Sequence, residues 1–305
     1  MLQAPADVVM IRPHNFHPNP ETAKDNAFQT AATGDIAAQA RQEHDAAVTA
    51  LRAAGITTHV FDDLGSDTPD SVFPNNWFST HSGGRVAVYP MYAQNRRRER
   101  RWDVIDTLKT RYRVQDVIDY SGLEYDGLAL EGTGAMVLDH IAHVAYVARS
   151  NRADPLLLER FCTHFGFEPI AFDACDATGT AIYHTNVLMC IGTRFALIGA
   201  EMIRDNARRH EVIARLAETG RDVIQLSAEQ IGAFAGNAIE LTGPEGSRLA
   251  LSTTAMAALT PDQQNTLARH TTCLPLDIPT IETAGGSVRC MIAGLHLARR
   301  QGVTP

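Results

Sequence analysis

Long hydrophobic runs are missing from this 305-residue chain: no stretch of about 18 apolar residues occurs, so no membrane-spanning helix is expected. The N-terminal stretch MLQAPADVVMIRP has neither the basic nor the apolar region of a secretory signal, and a cytoplasmic location is expected. Basic charge is in deficit, with 27 Lys and Arg against 35 Asp and Glu and a formal net charge of −8. Phosphate recognition needs a basic face, so neither a nucleic acid nor an anionic membrane is an expected partner. Cysteine is scarce and odd in number, five in all (Cys162, Cys175, Cys190, Cys273 and Cys290). None forms a CxxC pair that would suggest zinc, and the set is too sparse for a disulfide framework; neither a metal nor a cofactor is expected. Low-complexity linkers are also absent, so residues 1–305 read as a single catalytic domain, long enough to bury about three quarters of its unfolded surface. A homo-oligomer is admitted by the sequence but not required by it.

What is present is alternation. Ala27 to Ala54, rich in Ala, Gln and Glu and stopped by Gly55, reads as a long helix. Helix-like segments also run over Arg96–Arg111, Ala153–Phe165, Asp205–Glu218 and Pro261–His270. Between them ITTHVF, VAVYP, AHVAYVA, VLMCI and FALIG have strand length, which makes the class α/β. Six strand-like segments carry polar residues or Gly at their ends: MIRPHNF, FPNNWFST, LEGTGAMVL, YHTNVLMCIG, GNAIEL and VRCMIAGL. Spread over the whole chain, they suggest strands converging on one site; the plainer reading is turns beside separate strands.

Among the cysteines, Cys290 differs by context. It follows paired glycines, which permit close backbone approach and positive φ, and Arg289 beside it favours the thiolate. Cys162, Cys190 and Cys273 fit buried structural roles, and Cys175 in FDACD lies among carboxylates that oppose thiolate formation. A thiolate attacking an unreactive carbon also needs an acid and a base, and histidine serves both at neutral pH. His184 is set in the apolar run YHTNVLMCIG with Asn186 two residues on, hence on the same face of a strand. Its bland alternative is a satisfied core histidine. The pairs His14/His17 and His140/His143 have HxxH spacing, but in strand-like sequence residues three apart point to opposite faces. Glu131 can orient an imidazole as the third member of a Cys–His–acid set, or be an ordinary strand-end acid. The run RRRER from Arg96 reads as a solvated helix face.

Taken together, these motifs are more specific than any one of them. GGSVRCMIAG resembles the nucleophile segment of the guanidine-modifying enzymes of the pentein superfamily, and LEGTGAMVL, YHTN, VFPNNW and ARSN are similar to further motifs of that superfamily in the same order. ARSN is matched to a Ser-x-Arg-Thr-Asn stretch. MIRPHNFHPNPET and FPNNWFST look particularly like the amidinotransferase-like citrulline-utilisation hydrolases. The resemblance implies a five-bladed, pseudo-symmetric α/β propeller with Cys290 as nucleophile, His184 as acid and base, Glu131 as its orienting carboxylate, and Arg149 binding the substrate α-carboxylate. Superfamily members that handle guanidines commonly have acids where this chain has Asn76 and Asn186, taken here as substrate ligands. Amides suit a neutral ureido group better than a cation. The expected activity is therefore cysteine-dependent hydrolysis of a small amino acid, citrulline, to ornithine, carbon dioxide and ammonia through an S-carbamoyl intermediate. The alternatives are a guanidine-modifying hydrolase or transferase, such as an arginine deiminase, dimethylarginine dimethylaminohydrolase or amidinotransferase, and, from another class, a non-catalytic pentein-like binding protein.

Overall fold

In the computed structural model, which describes residues 2–31 and 34–302, the alternation of strand and helix segments becomes one unit repeated five times. In each unit a first strand turns back antiparallel into a middle strand, helical chain follows, and a third strand returns parallel to the middle one. Four units run in sequence, with first strands Phe78–His81, Val137–Asp139, Met189–Ile191 and Ile239–Gly243. The fifth is assembled from both ends of the chain: Ala293–Leu295 pairs antiparallel with Asp7–Pro13, which pairs parallel with Thr57–Asp63. This is the five-membered α/β arrangement expected from the motifs, and the first strands of all five units line one internal cavity.

Local chemistry explains where the helices begin and end. Asp154 accepts hydrogen bonds from the Leu156 and Leu157 N–H groups, Pro155 sits at the first helical position, and Gly166 ends the helix with φ +74. The buried face of Pro155–Phe165, with Leu157, Leu158, Phe161 and Phe165, joins Ala87 and Val147 of two adjacent sheets in one apolar cluster. Two expected helices are shorter than their composition suggested. The first runs only over Ala37–Ala53, because Gly34 takes φ +84 and Asp35 accepts from the Ala37 N–H, starting the helix there. The segment from Arg96 splits into a 3-10 turn at Asn95–Glu99 and a helix at Trp102–Arg111, since Arg100 and Arg101 are extended.

Four of the six polar strand ends prove to contain single helical turns. Pro74–Asn76, Gly132–Ala135, Thr185–Leu188 and Val288–Met291 each precede a first strand. His184 and Asn186 therefore do not share a strand face: His184 is the extended residue that opens the Thr185–Leu188 turn. A one-turn helix projects residues at several angles toward the axis, which an extended strand cannot do.

Candidate active site

Cys290 lies in the Val288–Met291 turn, only 2% exposed. The preceding glycines are dictated by close approach. Gly285 takes φ +79, and a Cβ there would come within 2.4 Å of the Asn26 side chain; one on Gly286 would be 2.9 Å from the Phe73 ring. Two side-chain amides donate to the sulfur, Asn186 Nδ2 at 3.2 Å and Asn237 Nδ2 at 3.3 Å. Asn237 also accepts from the Arg289 N–H through its Oδ1 at 3.0 Å, which ties the cysteine turn to the neighbouring unit.

His184 and Glu131 enter the same pocket region from two other units. His184 Nε2–H donates to Glu131 Oε2 at 2.8 Å, which leaves Nδ1 as the basic nitrogen. Gly134 makes room for the ring: a Cβ there would be 2.9 Å from both Nδ1 and Cε1. Burial pushes the His184 pKa down to about 4 despite the adjacent carboxylate, so the imidazole is neutral at pH 7. Burial alone would raise the Glu131 carboxyl, but the Arg152 charge, the His184 hydrogen bond and Arg96 outweigh it and hold it well below the usual range. The Tyr92 N–H supplies a further bond to Glu131 Oε1 at 3.0 Å.

A narrow pocket brings together Asp70, Asn76, Arg96, Arg152, His184 and Cys290, with Thr22 and Asn26 of the loop after the strand Asp7–Pro13. Asp70 accepts from Asn19 Nδ2 at 2.8 Å through one oxygen, and its other oxygen, Oδ1, is buried without a partner. Asn186 Oδ1 is likewise buried and unpartnered. Both are acceptors that a ligand with N–H groups would satisfy. Asn76 has less to offer a ligand, because its Oδ1 accepts from Arg96 Nη1 at 3.2 Å and its Nδ2 donates to Asn75 Oδ1 at 2.6 Å.

Several sequence expectations change here. Arg149 does not line the pocket; its side chain is half exposed and meets Asp173 on the surface at 3.4 Å. It directly follows the strand Val144–Ala148, and the arginine of this stretch that reaches the pocket is Arg152, three residues later in a turn. The spacing was legible: Ser150-Asn151-Arg152 also satisfies Ser-x-Arg. Arg96, read as part of a solvated face, is 2% exposed and bonds Glu99 in bidentate fashion at 2.9 Å through Nε and Nη2. Arg98, two residues on, is the exposed member of that run. Arg289 lines the internal cavity, where its Nη1 donates to the Ile292 carbonyl at 2.8 Å. Asp70 carries no local signal of its place in the pocket, and the signal for Asn237 is the polar strand end GNAIEL. Burial pushes the Cys162 and Cys190 thiols up to about 12, in keeping with structural roles. Cys175 meets a cation as well as carboxylates, for Arg204 Nε donates to its sulfur at 2.7 Å. Among the described residues no group of three or more His, Cys, Asp or Glu side chains is placed to hold a metal, and no helix is long and apolar enough to cross a membrane.

A family model described as N,N dimethylarginine dimethylhydrolase, eukaryotic, matches residues 12–297. The chain belongs to this family. Membership in the dimethylarginine dimethylhydrolase family places it in the pentein superfamily, in a family of guanidine-modifying hydrolases, and makes it a hydrolase of non-peptide C–N bonds. No curated protein matches the sequence. Among solved structures, this dimethylarginine dimethylhydrolase family member is similar to the N-terminal domain of ArgZ bound to substrate, an arginine dihydrolase from the ornithine-ammonia cycle in cyanobacteria. The TM-score is 0.75 at 13% identity, over 95% of this chain and 97% of that one. Unliganded AgrE gives 0.73 at 15% identity, covering 97% of this chain and 40% of AgrE. A mutant of DDAH from Pseudomonas aeruginosa complexed with citrulline gives 0.65 at 13% identity, over 97% and 100% of the two chains. At these identities the structures establish a shared fold.

Proposed function

We propose that the chain hydrolyses the guanidine group of an amino acid of the arginine class through a covalent adduct on Cys290. The observation that carries this reading is Asp70 Oδ1, a buried carboxylate oxygen without a partner in the same pocket as Cys290 and His184. A guanidinium supplies the N–H donor that this oxygen lacks, beside a carboxylate whose other oxygen already has Arg96 Nε at 3.6 Å. In the first half-reaction the Cys290 proton passes to His184 Nδ1 as sulfur adds to the guanidine carbon, and the same proton then leaves on the departing nitrogen as the C–N bond breaks. In the second, water adds to the thioester-like carbon and gives a proton to Nδ1; the C–S bond breaks, and the proton returns to sulfur. Glu131, held anionic, keeps Nε2–H in place through both steps and stabilises the transient imidazolium. The α-carboxylate seat assigned above to Arg149 passes in this reading to Arg152. All five cysteines are free, which suits a reducing compartment such as the cytoplasm.

A second reading, hydrolysis of citrulline to ornithine, carbon dioxide and ammonia, is favoured by the neutral amide of Asn186, whose Oδ1 is unpartnered, and by the neutral amide donors on the sulfur. The two readings share one machinery, since the ureido product of the first reaction is the substrate of the second. The ArgZ relative is an arginine dihydrolase, and the Pseudomonas relative binds citrulline, which supports both. The test is a screen of arginine, citrulline, methylated arginines and agmatine, with citrulline, ornithine and ammonia quantified separately. Citrulline formed from arginine, lost in Cys290→Ser but kept in Cys190→Ser, supports the first reading. Ornithine from citrulline, with arginine untouched, transfers the conclusion to the second, and turnover of none of these substrates overturns both.

A further inference from the structure

Arg152 is almost wholly buried, and each of its three guanidinium nitrogens already faces a carboxylate oxygen. Nε donates to Asp25 Oδ2 at 3.0 Å and Nη2 to Asp25 Oδ1 at 2.5 Å, a bidentate pair; Nη1 lies 3.5 Å from Glu131 Oε2, and the guanidinium carbon stands 4.7 Å from the Tyr183 ring centroid. The other pocket arginine, Arg96, is equally engaged, but its partner Glu99 belongs to the same turn and is buried with it. Asp25 differs in kind. It comes from the loop that also contributes Thr22 and Asn26 to the pocket, its side chain is 17% exposed, and its carboxylate has no second side-chain partner among the described residues.

We propose that Asp25 is a specificity-determining residue, an internal carboxylate that competes with the substrate α-carboxylate for the seat on Arg152. The inference rests on the amino-acid reading of the site given above. A bidentate carboxylate on a buried pocket arginine has the geometry a substrate carboxylate would adopt. Exchange of one for the other leaves Arg152 and Glu131 neutralised as before, whereas removal of Asp25 without replacement would strand a buried cation. A guanidine that carries no carboxylate leaves Asp25 in place. The contact therefore narrows the preference for α-amino acids over their decarboxylated counterparts.

The test is calorimetric titration of the full chain, in a Cys290→Ser background without turnover, with L-arginine and with agmatine, comparing Asp25 with Asp25→Asn and Asp25→Ala. Each variant's Tm is recorded to verify folding. Both substitutions are expected to tighten L-arginine by about tenfold and to leave agmatine within about twofold, so that the ratio of the two dissociation constants widens. Equal changes for both ligands would reduce Asp25 to a loop brace and overturn the proposal. Weaker binding of L-arginine alone would overturn it too, by making Asp25 a ligand of the α-ammonium. The hydrolase reading is decided separately, by turnover with Cys290 intact. A chain that shows the widened ratio but converts neither arginine nor citrulline keeps the exchange and loses the reaction, and binding of neither ligand by any of the chains overturns the exchange outright.

Discussion

In the proposed reaction His184 acts as a base before it acts as an acid. With its pKa pushed by burial to about 4, the imidazole is unprotonated across the neutral range, so the first proton it handles comes from the thiol or the substrate. Activity that needs this free base is present above that value and is lost as pH falls through it. The acid limb that this group sets in kcat/KM is therefore expected well below 6.5, where the fold itself also begins to lose stability. Glu131 raises the His184 pKa by its hydrogen bond and its charge, so Glu131→Gln should move the limb lower while reducing kcat by about 10²-fold or more. A pH–rate profile of both proteins checks the direction and the loss together. Arg149 and Arg152 make a second contrast. Arg149→Ala removes an exposed contact with Asp173, and KM for L-arginine should stay within about twofold, because surface ion pairs contribute little. Arg152→Ala deprives both Asp25 and Glu131 of a buried cation, so KM should rise at least about tenfold, with a fall in Tm. Steady-state kinetics on the two variants separates the surface arginine from the pocket one.

Each single helical turn before a first strand presents a side chain to the axis, and its neighbours must be small where another unit crosses it. Gly134 is the clearest case, because its missing Cβ leaves the space occupied by the His184 ring and by Asn76 Oδ1, 3.0 Å from where that Cβ would be. Gly134→Ala should displace the imidazole from Glu131 and lower kcat by at least about tenfold, while overpacking destabilises the fold by about 1–3 kcal/mol. Circular dichroism paired with kcat measures both; full activity in a folded Gly134→Ala protein would contradict the placement of the ring. The longer outer helices carry a different load. Their caps, such as Asp154, and their apolar faces, such as Leu157 and Phe161, hold the sheets apart at the angle that brings the five first strands to one axis.

At the scale of the molecule, the interior holds an unusual set of neutral histidines. Burial pushes His44, His184 and His296 down to about 4, and His81 and His140 well below the ordinary value. A folded pKa below the unfolded one means that the unfolded chain takes up the proton first, so stability is complete above about 6.5 and is lost as pH falls toward 4. For a group at about 4 the loss by pH 5 is on the order of 2 kcal/mol, and three such groups are comparable with the whole stability of a typical domain. Tm should fall by at least about 10 °C between pH 7 and pH 5. Because Ala293–Leu295 and Asp7–Pro13 share a sheet, one calorimetric transition is expected at either pH. A Tm unchanged over that interval would mean the buried imidazoles are not neutral.

The sequence by itself determined the α/β class and singled out Cys290, His184 and Glu131, which the fold brings to one pocket region, because these signals are local: apolar runs of strand length, capped helices and glycines beside a thiol; the five-bladed propeller followed from the resemblance of its motifs to the pentein superfamily, since the chain shows no sequence repeat. Only the tertiary structure decided which charged groups belong to the pocket. Arg96 and Arg98 stand in the same basic run, yet one is buried against Glu99 and the other exposed, and Arg149 and Arg152 stand in the same short stretch with opposite fates. Nothing in local composition distinguishes them, because a side chain's direction is set by the turn it occupies. What it meets comes from remote chain: Asp25 lies 127 residues from Arg152, and Asn186 lies 104 residues from Cys290. The amide pair shows the same limit. Asn76 and Asn186 could be read as substrate ligands by residue type, but their free donors and acceptors emerge only after Arg96, Asn75 and the Cys290 sulfur have taken their share.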